Sequence, residues 1–270
     1  MENKELILEF LSYPLDSGDE IFDRFAALPN AIAKKGEKTF ERFVYVPGNR
    51  KDRVLLVAHI DTVWDKDYQK FGNNKPHNHS VVFENGIFFS GEEMCGIGAD
   101  DRAGCAMLWK LKDSGHSILI LDGEEDGKRG AWFLKQKNLP LYKEINRHSF
   151  MLELDHESTD HVSFNQVDNT VKFKNFFKSA TGFKERGLSG GCDLQVLCTS
   201  ICGANVGIGY NNFHTSKEVL ILEEWENTFG KLEDFLSQKQ PKFKAPFVKR
   251  TKKRTRAFVS RLVRRLGLKK

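Results

Sequence analysis

Val54-Leu55-Leu56-Val57-Ala58 leads without a break into His59-Ile60-Asp61. The apolar run is too short for a buried helix and does not alternate with polar residues, so it reads as a parallel strand covered on both faces. The ends of such strands are where α/β proteins build their sites, and this one ends in an imidazole with a carboxylate two residues on. If the extended geometry continues, the two side chains share a face. The Asp61 carboxylate can then accept a hydrogen bond from His59 and leave the other ring nitrogen free for a metal. A histidine at a strand end is commonly a structural residue, and it is the aspartate that makes this one a candidate.

The flanking sequence repeats the pattern. Ile118-Leu119-Ile120-Leu121 and Phe150-Met151-Leu152-Glu153-Leu154 read as further buried strands. Helical spacing over Asp101 to Leu111 stops near Gly115, and a shorter helix over Ala131 to Lys137 precedes the Leu139-Pro140 break. Val81 to Phe89 is a hairpin with Asn85-Gly86 at its turn, giving an antiparallel ribbon beside the parallel strands. A last helix is expected from about Ser216 to Leu236. The order strand, helix, strand, helix, strand predicts an α/β fold with a mixed, mainly parallel central sheet flanked by helices.

Composition sets the limits. At 270 residues, 40% hydrophobic and 11% aromatic, the chain can bury a full core. No stretch approaches the roughly 18 apolar residues of a membrane span. The N-terminus carries both charge signs and then an amphipathic helix (Leu6, Ile7, Phe10, Leu11), without the pattern of a signal peptide, so a cytoplasmic protein is expected. The five cysteines, Cys95, Cys105, Cys192, Cys198 and Cys202, show no CxxC spacing, which argues against a disulfide framework and a thiolate zinc site. Net charge is +5, but residues 241–270 hold 13 Lys or Arg and no acid, leaving 29 against 37, or −8, for residues 1–240. Pro241 and Pro246 bracket this change, so the catalytic domain is expected to span 1–240 and residues 241–270 to form a basic tail. Phe258, Val259, Leu262, Val263 and Leu266 recur in the tail at helical spacing among Arg256, Arg261, Arg264, Arg265 and Lys269. This is a basic amphipathic helix. It is either a solvated appendage or a contact for an anionic membrane surface, nucleic acid or an acidic protein, and the apolar stripe favours membrane or protein.

Other strand ends and Gly-rich turns supply further ligand types. Gly96-Ile97-Gly98-Ala99-Asp100-Asp101 begins like an ordinary capped helix, yet Asp100 could bridge two cations while Asp101 caps the helix or supports the ligand; spacing allows the roles to be exchanged. Glu124-Glu125 follows the strand ending at Asp122. An acidic run is usually a solvated loop, but neighbouring side chains in an extended segment point opposite ways, so one glutamate can ligate metal while the other serves as general base. Asp155 ends the next strand with Glu153 on the same face, a buried ionisable pair that calls for a metal or cationic partner. His214 follows the last predicted strand and precedes the last helix. His77-Asn78-His79 reads as a polar loop rather than a third metal site. Two imidazoles and three carboxylates, with a carboxylate left over, can hold two divalent cations and activate a water between them.

In their order, His59-x-Asp61, Gly98-Ala99-Asp100-Asp101-x-Ala103-Gly104, Glu124-Glu125-x-Gly127, Glu153-Leu154-Asp155 and Gly209-Tyr210-x-x-x-His214-Thr215 resemble the co-catalytic zinc exopeptidases, the group containing tripeptidase-like, aminopeptidase and carboxypeptidase families. The resemblance covers about residues 53–220. It implies His59, Asp100, Glu125, Asp155 and His214 as ligands of two zinc ions, with Asp100 bridging, Asp61 orienting His59 and Glu124 as base. Manganese or cobalt would tolerate the same ligands. Asp193, in Gly190-Gly191-Cys192-Asp193, stands where many relatives have a Ser-Asp segment and would help shape the site. Only 58 residues separate Asp155 from His214, too few for the inserted domain of many relatives, so a single catalytic domain without a lid is expected. His156-Glu157 departs from relatives that often carry a basic residue there. The implied activity is hydrolysis of a small peptide or acyl-amino acid; an amidase or deacylase on the same metals, or an inactive binding protein acting through its tail, are the alternatives.

Overall fold

The structure, a computed structural model, describes residues 2–65, 79–187 and 190–246. Its first elements are α1 (Asn3–Leu11), α2 (Asp19–Ala26), β1 (Ile32–Lys35), β2 (Arg42–Val46), β3 (Leu55–His59), β4 (Val81–Glu84) and β5 (Ile87–Ser90). There follow α3 (Ala99–Leu111), β6 (Ser117–Leu121), α4 (Arg129–Lys137), α5 (Leu139–Ile145), β7 (Met151–His156), β8 (His161–Ser163) and α6 (Val171–Thr181). The last are β9 (Lys184–Glu185), α7 (Leu194–Leu197), β10 (Gly203–Gly207), β11 (Tyr210–Asn211), β12 (Val219–Ile221) and α8 (Leu222–Ser237).

Eight strands form the central sheet in the order β1-β2-β6-β3-β7-β10-β8-β9. The pairs β6–β3, β3–β7 and β7–β10 are parallel, while β1–β2, β2–β6 and β10–β8 are antiparallel. β3, β6 and β7 are buried along their whole length. Alternate side chains enter two separate cores, as a period of two requires. Leu56, Ala58, Ile118, Ile120, Leu152 and Leu154 pack with α1, α3, α6 and α8; Leu55, Val57, Leu119, Leu121 and Met151 pack with α4, α5 and α7. The sheet is therefore the α/β arrangement expected, mixed at its edges and parallel at its centre, in a single domain without a lid.

The hairpin turns at Asn85-Gly86, both with positive φ (50° and 82°), which Gly tolerates for want of a Cβ and Asn more readily than most residues. It does not extend the central sheet. It joins β11 and β12 in a second, antiparallel sheet ordered β11-β12-β5-β4. This pairing also shortens the last helix, expected from about Ser216 but beginning at Leu222: Val219, Leu220 and Ile221 pair with Phe89, Phe88 and Ile87 instead. Val219 and Ile221, β-branched and with a strand to pair against, leave the helix to start six residues later than expected.

Past Gln240 the described chain stays on the body. The Phe243 amide donates to Ser149 O, its carbonyl accepts from Cys202 N, and its ring lies among Phe150, Phe173 and Phe176. The amphipathic stretch of the tail lies outside the described residues. All five cysteines are unpaired, and all but Cys198 are buried. Among the described residues no helix is long and apolar enough to cross a membrane.

Candidate functional site

The seven residues singled out by sequence converge at the C-terminal ends of β3, β6 and β7. His59 is the last residue of β3; its Nε2 lies 3.3 Å from Asp100 Oδ1 and 3.4 Å from Asp155 Oδ1. Asp100 turns its other oxygen to His214, with Oδ2 at 3.2 Å from Nε2. His214 Nε2 is also 2.5 Å from Glu125 Oε1. Two groups of ligand-type atoms, His59 with Asp100 and Asp155, and Asp100 with Glu125 and His214, thus share one carboxylate; a third joins His59, Glu124 and Glu125. Within each group the atoms lie within 4.8 Å of one another, close enough to hold a metal ion.

Local geometry differs from the sequence expectation at several points. His59 Nδ1 sits 2.9 Å from the backbone carbonyl of Asp61, closer than its carboxylate at 3.3 Å. The Asp61 carboxylate instead accepts the amides of Glu124 and Glu125, both at 3.0 Å, and so ties β3 to the turn after β6. Those two glutamates occupy a turn rather than an extended segment, closed by the Lys128 amide donating to Glu124 O. Positive-φ Gly123 and Gly127 bend the chain there. His214 lies between β11 and β12 rather than directly before the helix, with φ of 62°. Asp101 makes no side-chain cap; its Oδ2 accepts the His59 amide at 3.0 Å. The Asp100-Asp101 peptide is cis. His79 contacts the Leu11 carbonyl through Nε2 at 2.6 Å, and His77 lies outside the described residues.

Three contributors were not singled out. Glu218 is buried, and its carboxylate accepts the amides of Ile97, Gly98 and Asp100, so it shapes the loop that presents Asp100. Only its position four residues after His214 hinted at this. Tyr210, part of the quoted Gly-Tyr motif, has its hydroxyl 3.3 Å from Asp155 Oδ1. Lys128 places its ammonium 2.9 Å from Glu124 Oε1. Glu153 serves as an anchor: it accepts the amides of Asp193 and Leu194 and so fixes the segment that ends in α7.

Electrostatics follow from this crowding. Burial alone would lower the His59 pKa, but the carboxylates of Asp155, Asp100 and Asp61 outweigh it and raise it well above 6.5. His214 is pushed up to about 10, burial again being outweighed by Asp100 and Glu125. Burial and the charge of Asp100 hold Asp155 well above the carboxylate range, and burial lifts Glu153 to about 7. Asp100 moves the other way, since the two imidazoles beside it, His214 and His59, overcome its burial. The cluster is thus an anionic cage that recruits positive charge.

Buried oxygens indicate what that charge would be. Asp100 Oδ1, Asp101 Oδ1, Glu124 Oε1 and both oxygens of Asp193 make no hydrogen bond, which is costly for buried polar atoms. Hard carboxylate oxygens mixed with imidazole nitrogens fit a divalent cation such as zinc. The cluster opens to a cavity of about 380 Å³ lined by His59, Asp100, Glu124, Glu125, Asp155 and His214 together with Lys128, Gly190 and Gly191. A second cavity of about 590 Å³ shares Glu125 with it. The smaller one holds the ligand-type side chains and is the one the chemistry concerns.

No protein-family model matches the chain, and no curated protein matches it in sequence. Solved structures do match. The chain is similar to aminopeptidase PepT from Bacillus cereus, at 14% identity and a TM-score of 0.61 over 88% of this chain and 98% of that one. It is similar to a tripeptidase from Staphylococcus aureus, at 12% identity and a TM-score of 0.60 over 88% and 98%. It is also similar to the TET1 peptidase of Pyrococcus horikoshii, which can assemble into a tetrahedron or a large octahedral shell, at 14% identity and a TM-score of 0.62 over 87% and 99%. The chain has a co-catalytic metallo-exopeptidase-like fold, the fold of these aminopeptidases and tripeptidases.

Proposed function

We propose that this chain is a metal-dependent hydrolase that cleaves the peptide or amide bond of small substrates. One observation carries the reading: Asp100 offers one oxygen to His59 and the other to His214, so two ligand groups meet at a single carboxylate. His59, Asp100 and Asp155 would hold one zinc ion, and Asp100, Glu125 and His214 the second. When bound, such cations polarise a scissile carbonyl and lower the pKa of a water molecule. Glu124 takes the proton at its carboxylate and returns it to the leaving amine. Asp61 orients His59 through Nδ1 and keeps Glu124 and Glu125 in register through their amides. Asp193 and Glu153 shape the wall beside Glu124.

The test is metal content followed by activity. Purified protein should carry two zinc ions per chain and hydrolyse dipeptides, aminoacyl amides or acyl-amino acids. Asp100→Ala should lose metal at both positions and with it the stability that metal contributes, about 2.7 kcal/mol at 100-fold excess over Kd. Unchanged metal content in that variant would remove Asp100 from the centre.

The basic stretch after Pro246 we assign to localisation rather than chemistry, through an anionic membrane or an acidic protein. Truncation after Pro246, which spares the packing of Phe243, should leave kcat/KM on small substrates nearly unchanged and abolish salt-sensitive binding to anionic vesicles. Loss of hydrolysis in a truncated protein that stays folded would put the tail in the active site.

A further inference from the structure

Lys128 is the only lysine or arginine among the described residues that line the smaller cavity. Every other charged side chain there is a carboxylate or an imidazole of the cluster, apart from Glu157. The lysine is held in place. Its backbone adopts φ of 64°, an unusual conformation for a residue with a side chain, and its amide closes the turn on Glu124 O. Its side chain is only 17% exposed. Gly191 gives it room, since a Cβ there would come within 2.9 Å of Nζ.

Nζ lies 2.9 Å from Glu124 Oε1, a single contact for a group with three donors. The ammonium therefore keeps donors available on the cavity side. Lys128 thus stands beside Glu124 at the wall of the cavity, where the carboxylate of a bound substrate could take a donor from it. Lys128 is the one ammonium among the described lining, whose other ionisable side chains are the ligand-type carboxylates and imidazoles, Glu124 and Glu157.

We propose that Lys128 is the substrate-carboxylate contact of this site: it pairs with Glu124 in the resting protein and turns to a free carboxylate beside the scissile bond when substrate is bound. Dipeptides and acyl-amino acids are then preferred over their C-terminal amides. The proposal rests on the hydrolase reading above.

The test compares zinc-loaded wild type, Lys128→Met and Lys128→Arg on leucyl-leucine and leucyl-leucinamide, following cleavage of the Leu–Leu bond. Wild type should favour the free acid by about tenfold or more in kcat/KM, the worth of one hydrogen bond between charged groups. Lys128→Met should bring the ratio near one, through the KM of the acid, and Lys128→Arg should keep part of the preference. Binding gives an independent readout: zinc-loaded Glu124→Gln, with the ammonium released, should bind the acid more tightly than the amide by calorimetry, and Glu124→Gln/Lys128→Met should bind the two alike. A wild-type ratio near one, equal losses on both substrates in Lys128→Met, or equal binding of acid and amide by Glu124→Gln overturns the proposal. If wild type cleaves neither substrate while Glu124→Gln still prefers the acid, the hydrolase reading fails and the carboxylate contact stands.

Discussion

Where β6 and β7 begin, His116, Ser117, Asn146 and His148 are buried and their polar side-chain atoms all have partners. Where β3, β6 and β7 end, Asp100, Asp101, Glu124 and Asp193 are buried to the same degree and retain oxygens that hydrogen-bond to nothing. The cost of dehydrating a polar group is offset at one end of the strands and left standing at the other. Burial of polar residues is therefore common to both ends, and for these eight residues satisfaction separates them. The first end is closed further by the chain after α8, where Gln240 N donates to Asp52 and Gln240 O accepts from Ser149. Under the reading proposed above, the oxygens left unmatched at one edge are the ones a cation would match.

The strongest way to break this contrast is at Glu124. Glu124→Gln removes the proposed proton acceptor and no ligand, so metal content should be unchanged while kcat falls by about 10²- to 10⁴-fold. Both are measured on the same preparation, by elemental analysis and by peptide hydrolysis. Near-normal turnover would return Glu124 to the structural side of the comparison.

Glu218 sharpens it, because this residue at the functional end behaves like those at the quiet end. Its carboxylate is fully used, by the amides of Ile97, Gly98 and Asp100. Glu218→Ala would leave three buried donors without an acceptor and should cost about 3 kcal/mol in urea denaturation, metal present or chelated. Zinc occupancy should fall as well, since Asp100 hangs on that loop. Equal stability and equal zinc in the variant would make the three hydrogen bonds dispensable.

Sequence made the strand ends legible because a buried parallel strand is a continuous apolar run, and ligand types that interrupt such runs stand out. His59, Asp155 and the Glu124-Glu125 pair were visible for that reason. The roles of neighbours were not. Asp61 was expected to face His59 with its carboxylate, and its stronger partners are amides 63 and 64 residues away. Glu218 acts on residues 118 to 121 positions distant through backbone hydrogen bonds that leave no pattern. β1 was missed because an edge strand of exposed residues, Ile32-Ala33-Lys34-Lys35, carries no hydrophobic period; β2, internal and buried at Phe43, Val44 and Tyr45, was missed although its residues fit a strand. The last helix was begun too early because Val219 to Ile221 fit both a helix and a strand, and only the presence of β5 decides between them.

The smallest expected effect is a pH dependence at the quiet end. His148 donates from Nδ1 to the Ile145 carbonyl at 3.0 Å and accepts at Nε2 from the Ser117 hydroxyl at 2.8 Å, an arrangement that only the neutral ring can make. Burial, and then the charge of Arg53, hold its pKa down at about 4 against an ordinary 6.5, with Glu144 opposing weakly. The unfolded chain therefore takes up the proton first as pH falls. The contribution of the neutral ring is complete above pH 6.5, declines as pH drops toward 4 and is gone below that. His148→Gln keeps a donor and an acceptor but does not titrate. In chelated protein, the stability difference between wild type and His148→Gln should shift by about 1–2 kcal/mol against wild type between pH 7 and pH 4.5, part of what the full pKa difference allows. Chelation removes the metal-linked protons of the other end from the comparison. Parallel stability curves for the two proteins across that range would show that the ring is not held neutral, and that the hydrogen bonds at the start of β7 do not account for its burial.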